Sequence, residues 1–110
     1  MPPFKFLAAL TLGTAFVGTA LAQTPIFELV IRNHQFEPTE LTVPAGQKIE
    51  LHVKNTDATP EEFESDSLRR EKVVAGGQVV TIYIGPLTPG RYEFFGDFNP
   101  KTARGFIVAQ

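Results

Sequence analysis

Beyond its first two dozen residues, this 110-residue chain never goes far without a turn signal. Runs of β-branched and aromatic residues are cut by Pro44-Ala45-Gly46, Ala75-Gly76-Gly77, Gly85-Pro86 and Pro89-Gly90. Each cut has a local cause: proline fixes φ and lacks a donor, and glycine accepts φ > 0. The clearest run, Lys48 to Asn55, alternates throughout. Ile49, Leu51 and Val53 take one face, and Lys48, Glu50, His52 and Lys54 take the other. A period of two with one polar face fits an antiparallel sandwich better than a parallel sheet buried on both sides. Phe27 to Arg32, Leu41 to Val43, Glu61 to Asp66, a short edge segment ending at Val74, Gln78 to Ile84, and the two arms of a closing hairpin complete the set. No stretch reads as an amphipathic helix. The expectation is an all-β Greek-key sandwich of about seven to eight strands, spaced as such folds usually are.

The first residues read differently. Met1 to Lys5 carries one positive charge, Phe6 to Val17 is apolar, and Ala20-Leu21-Ala22 is a small-x-small site before Gln23. This is the pattern of a secretory signal peptide, and it is too short and interrupted for a bilayer span of about 20 apolar residues. The expected organisation is a leader over 1–22, cleaved near Ala22-Gln23, and one exported, periplasmic domain over 23–110 with no membrane span of its own.

Charge and cysteine usage narrow the chemistry. Ten basic side chains less Lys5 leave nine against twelve acidic ones, a formal charge of −3. That disfavours nucleic acid and anionic lipid, which need a basic face. Without cysteine there is no disulfide, no thiolate ligand and no thiol chemistry. Ten phenylalanines in so short a chain, seven of them beyond residue 22, make a sufficient apolar core plausible. No Gly-x-Ser-x-Gly, His-Glu-x-x-His or phosphate loop points to a hydrolytic enzyme.

Two patterns are specific enough to carry a resemblance. One is Phe36-x-Pro38-x-x-Leu41-x-Val43-x-x-Gly46; the other is the closing hairpin, Pro89-Gly90-Arg91-Tyr92 followed by Phe94-Phe95-Gly96-Asp97-Phe98 and a strand opened by Gly105. With Glu61-Glu62-Phe63-Glu64-Ser65, Glu71-Lys72-Val73 and Ile84-Gly85-Pro86-Leu87, the chain from Phe27 to Val108 resembles the cupredoxin-like family. More narrowly, it resembles small periplasmic members associated with bacterial high-affinity iron uptake. The resemblance implies partners in an iron-uptake membrane permease or another periplasmic iron-uptake protein, and iron or copper as the metal.

It also implies where a type 1 copper site would stand. Carried over by position, the first His is Glu61, the Cys is Gly96, the second His is Asn99 and the axial Met is Ala103. A type 1 centre depends on a soft thiolate, so none is expected. Oxygen ligands remain. Glu61, Glu62, Glu64 and Asp66 lie in one segment; Glu93, Asp97 and Asn99 lie around the closing hairpin. The resemblance brings the two segments to one end of the sandwich, where carboxylates would favour hard cations. Along an extended segment Glu62, Glu64 and Asp66 share a face and Phe63 points away from it. Such crowding calls for solvation, pairing with Arg69, Arg70 or Lys72, or a cation. His52 reads as a surface residue and His34 as a turn residue or a ligand. The reading is a metal-binding accessory of iron or copper uptake that uses Glu62, Glu64, Asp66 and Asp97, with Glu61, Glu93 and Asn99 as further members. Ferroxidase chemistry is the catalytic option. The alternative is a metal-free scaffold that docks a partner protein, in which an exposed Phe98 would be part of the docking patch.

Overall fold

A computed structural model describes residues 23–110; the expected leader and its cleavage site lie outside them. Nine strands follow in order: β1 (Ile26–Arg32), β2 (Gln35–Glu37), β3 (Glu40–Val43), β4 (Ile49–Asn55), β5 (Glu61–Ser65), β6 (Arg70–Val74), β7 (Val79–Ile84), β8 (Gly90–Gly96) and β9 (Arg104–Ala109). They form two sheets, β2-β1-β4-β7 and β3-β9-β8-β5-β6, packed face to face. The all-β sandwich expected from the turn spacing is the fold observed. The strand beyond the seven or eight expected is β2, three residues without alternation of their own that pair with β1 through Val30–Glu37, Ile31–Phe36 and Arg32–Gln35.

The strand directions differ from the antiparallel expectation at two places. β4 pairs antiparallel with β7 but parallel with β1, and β3 pairs parallel with β9. Alternation in Lys48–Asn55 reports burial of one face, which Ile49, Leu51 and Val53 satisfy whatever the neighbour's direction. Parallel neighbours become possible because the chain repeatedly crosses between sheets, as at β2–β3 and β4–β5.

The core is the inner face of both sheets. Phe36, Phe63 and Phe94 form its aromatic centre: Phe36 meets Phe94 and Phe63 edge-on, with centroids 4.9 and 6.1 Å apart, and Phe63 stacks on Phe94 at 5.4 Å. Such pairs add ~0.5–1.5 kcal/mol each beyond the area they bury. Gly105 is required beside them, because a Cβ there would lie 2.4 Å from Phe94 Cζ.

Polar side chains staple the ends. Asn55, fully buried at the end of β4, donates to Val74 O (3.0 Å) and Thr59 O (2.8 Å) and accepts from Asp57 N–H (3.0 Å). It ties one sheet to the other and shapes the loop that delivers the chain into β5. Asp57 in turn accepts from the backbone N–H groups of Asn33 (2.8 Å) and His34 (3.0 Å), which sit at positive φ in the β1–β2 turn. The backbone bond from His34 is the main reason the Asp57 carboxyl is held below its ordinary range.

Candidate functional site

β5 positions the acidic residues by simple alternation. Glu61, Phe63 and Ser65 point into the sandwich, while Glu62 and Glu64 stand half-buried on the outer face of the five-stranded sheet. On one side β8 places Phe95 opposite Glu64, and Asp97 N–H donates to Glu62 O (2.9 Å), setting Asp97 beside Glu62. On the other side the β5–β6 hairpin puts Glu71 directly opposite Glu64. Glu62, Glu64 and Asp97 each offer a carboxylate oxygen, and these three oxygens lie within 4.8 Å of one another.

No cationic side chain among the described residues pairs with this triad. Among the described residues, the ion pairs join Arg32 to Glu37, His34 to Asp57, His52 to Glu50, Arg91 to Glu40 and Arg104 to Glu93, and none reaches Glu62, Glu64 or Asp97. Loss of solvation pushes the Glu62 and Glu64 carboxyls up, with Asp97 the next contribution for each. Glu71 adds to both. Glu71 is the neighbour that sequence reasoning missed; the hairpin register opposite Glu64 would have found it.

The other expected site residues stand apart from this triad. Asp66 follows the end of β5, exposed, and lines a shallow surface depression with Ser67, Glu93, Phe95 and Arg104. Glu93 is held by Arg104 Nη1 at 2.7 Å. Glu61 and Asn99 face each other inside the sandwich end: Asn99 Nδ2 donates to Glu61 Oε2 (2.6 Å), while Glu61 Oε1 accepts from Phe98 N–H (2.9 Å) and Glu62 N–H (3.0 Å). His34 donates its backbone N–H to Asp57, and His52 hydrogen-bonds Glu50 at 2.7 Å on the outer face of the other sheet. Neither belongs to the triad.

The four positions mapped for type 1 copper do meet in space. A Cβ on Gly96 would lie 2.6 Å from Glu61 Cδ and 2.7 Å from Ala103 Cβ, and Glu61 bonds Asn99. Their chemistry does not fit that metal. They supply no thiolate and no imidazole, the Glu61 oxygens are engaged by three donors, and Ala103 is fully buried against them. No type 1 site can be assembled from this chain.

Comparison with known proteins agrees with the fold. A family model described as a cupredoxin-like domain matches residues 5–109. The chain is 47% identical over 81 residues to the uncharacterized protein RP394 of Rickettsia prowazekii (strain Madrid E), which covers 74% of this chain and 65% of that relative's length. Among solved structures, auracyanin A, a "blue" copper protein from Chloroflexus aurantiacus, superposes with a TM-score of 0.67 at 17% identity, over 77% of this chain and 98% of its own. A purple cupredoxin from Nitrosopumilus maritimus superposes with a TM-score of 0.58 at 16% identity, over 76% of this chain and 98% of its own. Amicyanin from Paracoccus versutus gives 0.60 at 18% identity, over 81% and 83%. At these identities the structural likenesses establish the fold alone. With the family match spanning almost the whole sequence, this chain belongs to the cupredoxin-like domain family.

Proposed function

We propose that this chain is an exported, periplasmic cation-binding accessory of iron or copper uptake, holding its metal on the outer sheet face through Glu62, Glu64 and Asp97. The observation that carries this reading is the convergence of three carboxylate oxygens within 4.8 Å with no cationic side chain among the described residues paired to them. Like charges on one sheet face are unfavourable, and an oxygen-seeking cation removes the repulsion while using the same atoms as ligands. Glu71, opposite Glu64, adds negative potential, and Asp66 adds to it at Glu64. The chemistry is reversible coordination. The metal would be cargo, passed to a membrane permease or another exported uptake protein, and ferroxidase activity is the redox extension of the same reading.

The test is titration of the metal-free mature domain with iron(III), manganese(II) and copper(II), followed by thermal shift. Binding to the folded state alone must raise the melting temperature, by about 2.7 kcal/mol of stability at a hundredfold excess over Kd. Glu64→Gln with Asp97→Asn is expected to abolish the shift without unfolding the domain. An unchanged shift in that double variant would remove these residues from the site.

One observation favours a second reading, a metal-free scaffold for a protein partner. Phe98 is 48% exposed at the tip of the β8–β9 connection, next to Asp97. Loss of a partner on Phe98→Ser, with no metal bound by the wild type, would select this reading over the first.

A further inference from the structure

We propose that Glu61 is an internal clamp, a carboxylate that does at this end of the sandwich the cross-linking a bound metal would do, and that Gly96 is the cutaway that admits it. The proposal is independent of whether the outer triad binds a cation.

Glu61 is only 1% exposed although it opens a strand of alternating acidic residues. A carboxylate so placed is tolerated only where donors surround it. Here they come from both sides of a long chain separation. The Glu62 N–H donates from β5 itself; the Phe98 N–H and Asn99 Nδ2 donate from the β8–β9 connection, 37 and 38 residues away. The connection is otherwise a series of local turns, with Asn99 N–H on Gly96 O (3.1 Å), and Thr102 and Ala103 N–H on Asn99 O (3.2 and 2.9 Å). Glu61 fixes that folded loop to β5.

The room for this arrangement is made at one position. Gly96 has no unusual φ to demand glycine, yet its missing Cβ would fall 2.6 Å from Glu61 Cδ and 2.7 Å from Glu61 Oε1. Gly96 is therefore glycine for space, and the space is taken by the Glu61 carboxylate. Ala103 bounds the same pocket with the smallest side chain available, 2.7 Å from that absent Cβ. Glu61, Gly96, Asn99 and Ala103 form one matched set whose product is a hydrogen-bonded plug rather than a ligand field.

Four variants of the mature domain test this: Glu61→Gln, Glu61→Ala, Gly96→Ala, and Glu61→Ala with Gly96→Ala. Gln keeps Oε1 for the two backbone donors, and Asn99 can turn its carboxamide so that its oxygen accepts from the new amide. Glu61→Gln is expected to fold with a melting temperature within a few degrees of wild type and slow hydrogen exchange at the Phe98 amide. Glu61→Ala leaves the Phe98 N–H and the Asn99 amide unpaired, and should melt about 10 °C lower with fast exchange at Phe98. Gly96→Ala is expected to destabilise wild type strongly and the Glu61→Ala background less, because the clashes with Glu61 Cδ and Oε1 leave with the carboxylate while the one with Ala103 Cβ remains. If Glu61→Ala does not fold, exchange protection of Phe98 in wild type and Glu61→Gln decides. Fast exchange at Phe98 in the wild type, or equal cost of Gly96→Ala in both backgrounds, would overturn the clamp. So would a copper(II)-induced thermal shift that Glu61→Gln abolishes and Glu64→Gln with Asp97→Asn leaves intact, since Glu61 would then be a ligand.

Discussion

Asn55→Asp replaces one atom in the staple that joins the two sheets, and its consequence can be worked from three bonds. The Asn55 amide nitrogen donates to Thr59 O at 2.8 Å and to Val74 O at 3.0 Å, and the residue is fully buried. Aspartate keeps the acceptor that receives Asp57 N–H at 3.0 Å but loses both donors. Two carbonyls then face a carboxylate oxygen in place of an N–H. Leaving a buried group unpaired costs ~1–3 kcal/mol. Val74 O is buried and bears that cost in full, while the carbonyl of the exposed Thr59 can turn to water, so the loss is ~1–3 kcal/mol before any repulsion from the new charge. For a domain of this size even the lower figure lowers the melting temperature by ~4–8 °C. The loss should depend on pH in a definite direction. Burial and the two carbonyls raise the folded-state pKa of the introduced carboxyl above its unfolded value of ~3.9. The full penalty therefore applies above the folded pKa and shrinks as pH falls towards the unfolded one, where the protonated carboxyl regains one donor. Urea unfolding of wild type and variant at neutral and mildly acidic pH reads both effects. A loss under ~1 kcal/mol at pH 7 would show that these bonds are not a staple. A loss that fails to shrink on acidification, relative to wild type, would refute the electrostatic part of the reasoning.

Two further outcomes concern the triad. Glu64→Gln should raise the melting temperature of the metal-free domain slightly while weakening cation binding, because the same charge repels Glu62, Glu71, Asp97 and Asp66 and attracts the ion; a metal-free melting point below wild type would contradict the repulsion. The second outcome is in pH. Glu62 and Glu64 have folded pKa values raised above the ordinary 4.5, so they oppose folding when ionised and cease to do so as pH falls through their folded pKa towards the unfolded value. Asp57 has the opposite sign: its contribution is present above 3.8 and lost as pH falls through its lowered folded pKa. Metal-free stability from these groups should thus rise on mild acidification and fall only in stronger acid, whereas metal affinity should fall throughout because protons compete for the ligand oxygens. Stability falling steadily from neutrality, in a variant series where Glu62→Gln and Glu64→Gln change nothing, would refute this.

The architecture was legible in the sequence because its determinants are local. Ile49, Leu51 and Val53 must be buried together, and Gly85-Pro86 and Pro89-Gly90 must turn, whatever surrounds them. β2 was not legible: three residues between a turn and Pro38 have no periodicity to show, and they are held as a strand by β1 across the register Ile31–Phe36. The parallel pairings of β1 with β4 and of β3 with β9 were hidden for a related reason, since alternation reports which side is buried and not which way the neighbour runs. For the site, the alternation that placed Glu62 and Glu64 on one face also requires Glu61 and Ser65 to face inward with Phe63, a step that follows from the pleat alone. Which acidic residues come together is a question of register. Glu71 joins the triad's field because it stands opposite Glu64, Asp97 joins through its bond to Glu62, and Glu93, four positions before Asp97, is engaged instead by Arg104. Gly96 is the sharpest case. In the sequence it marks a lost ligand position; in space it is the other half of Glu61. A glycine required for volume leaves no pattern along the chain, because the volume it yields belongs to a side chain thirty-five positions away. Where the resemblance would place a thiolate and an imidazole, this chain has Gly96 and Glu61, a matched pair in which the carboxylate fills the space that a side chain at 96 would need.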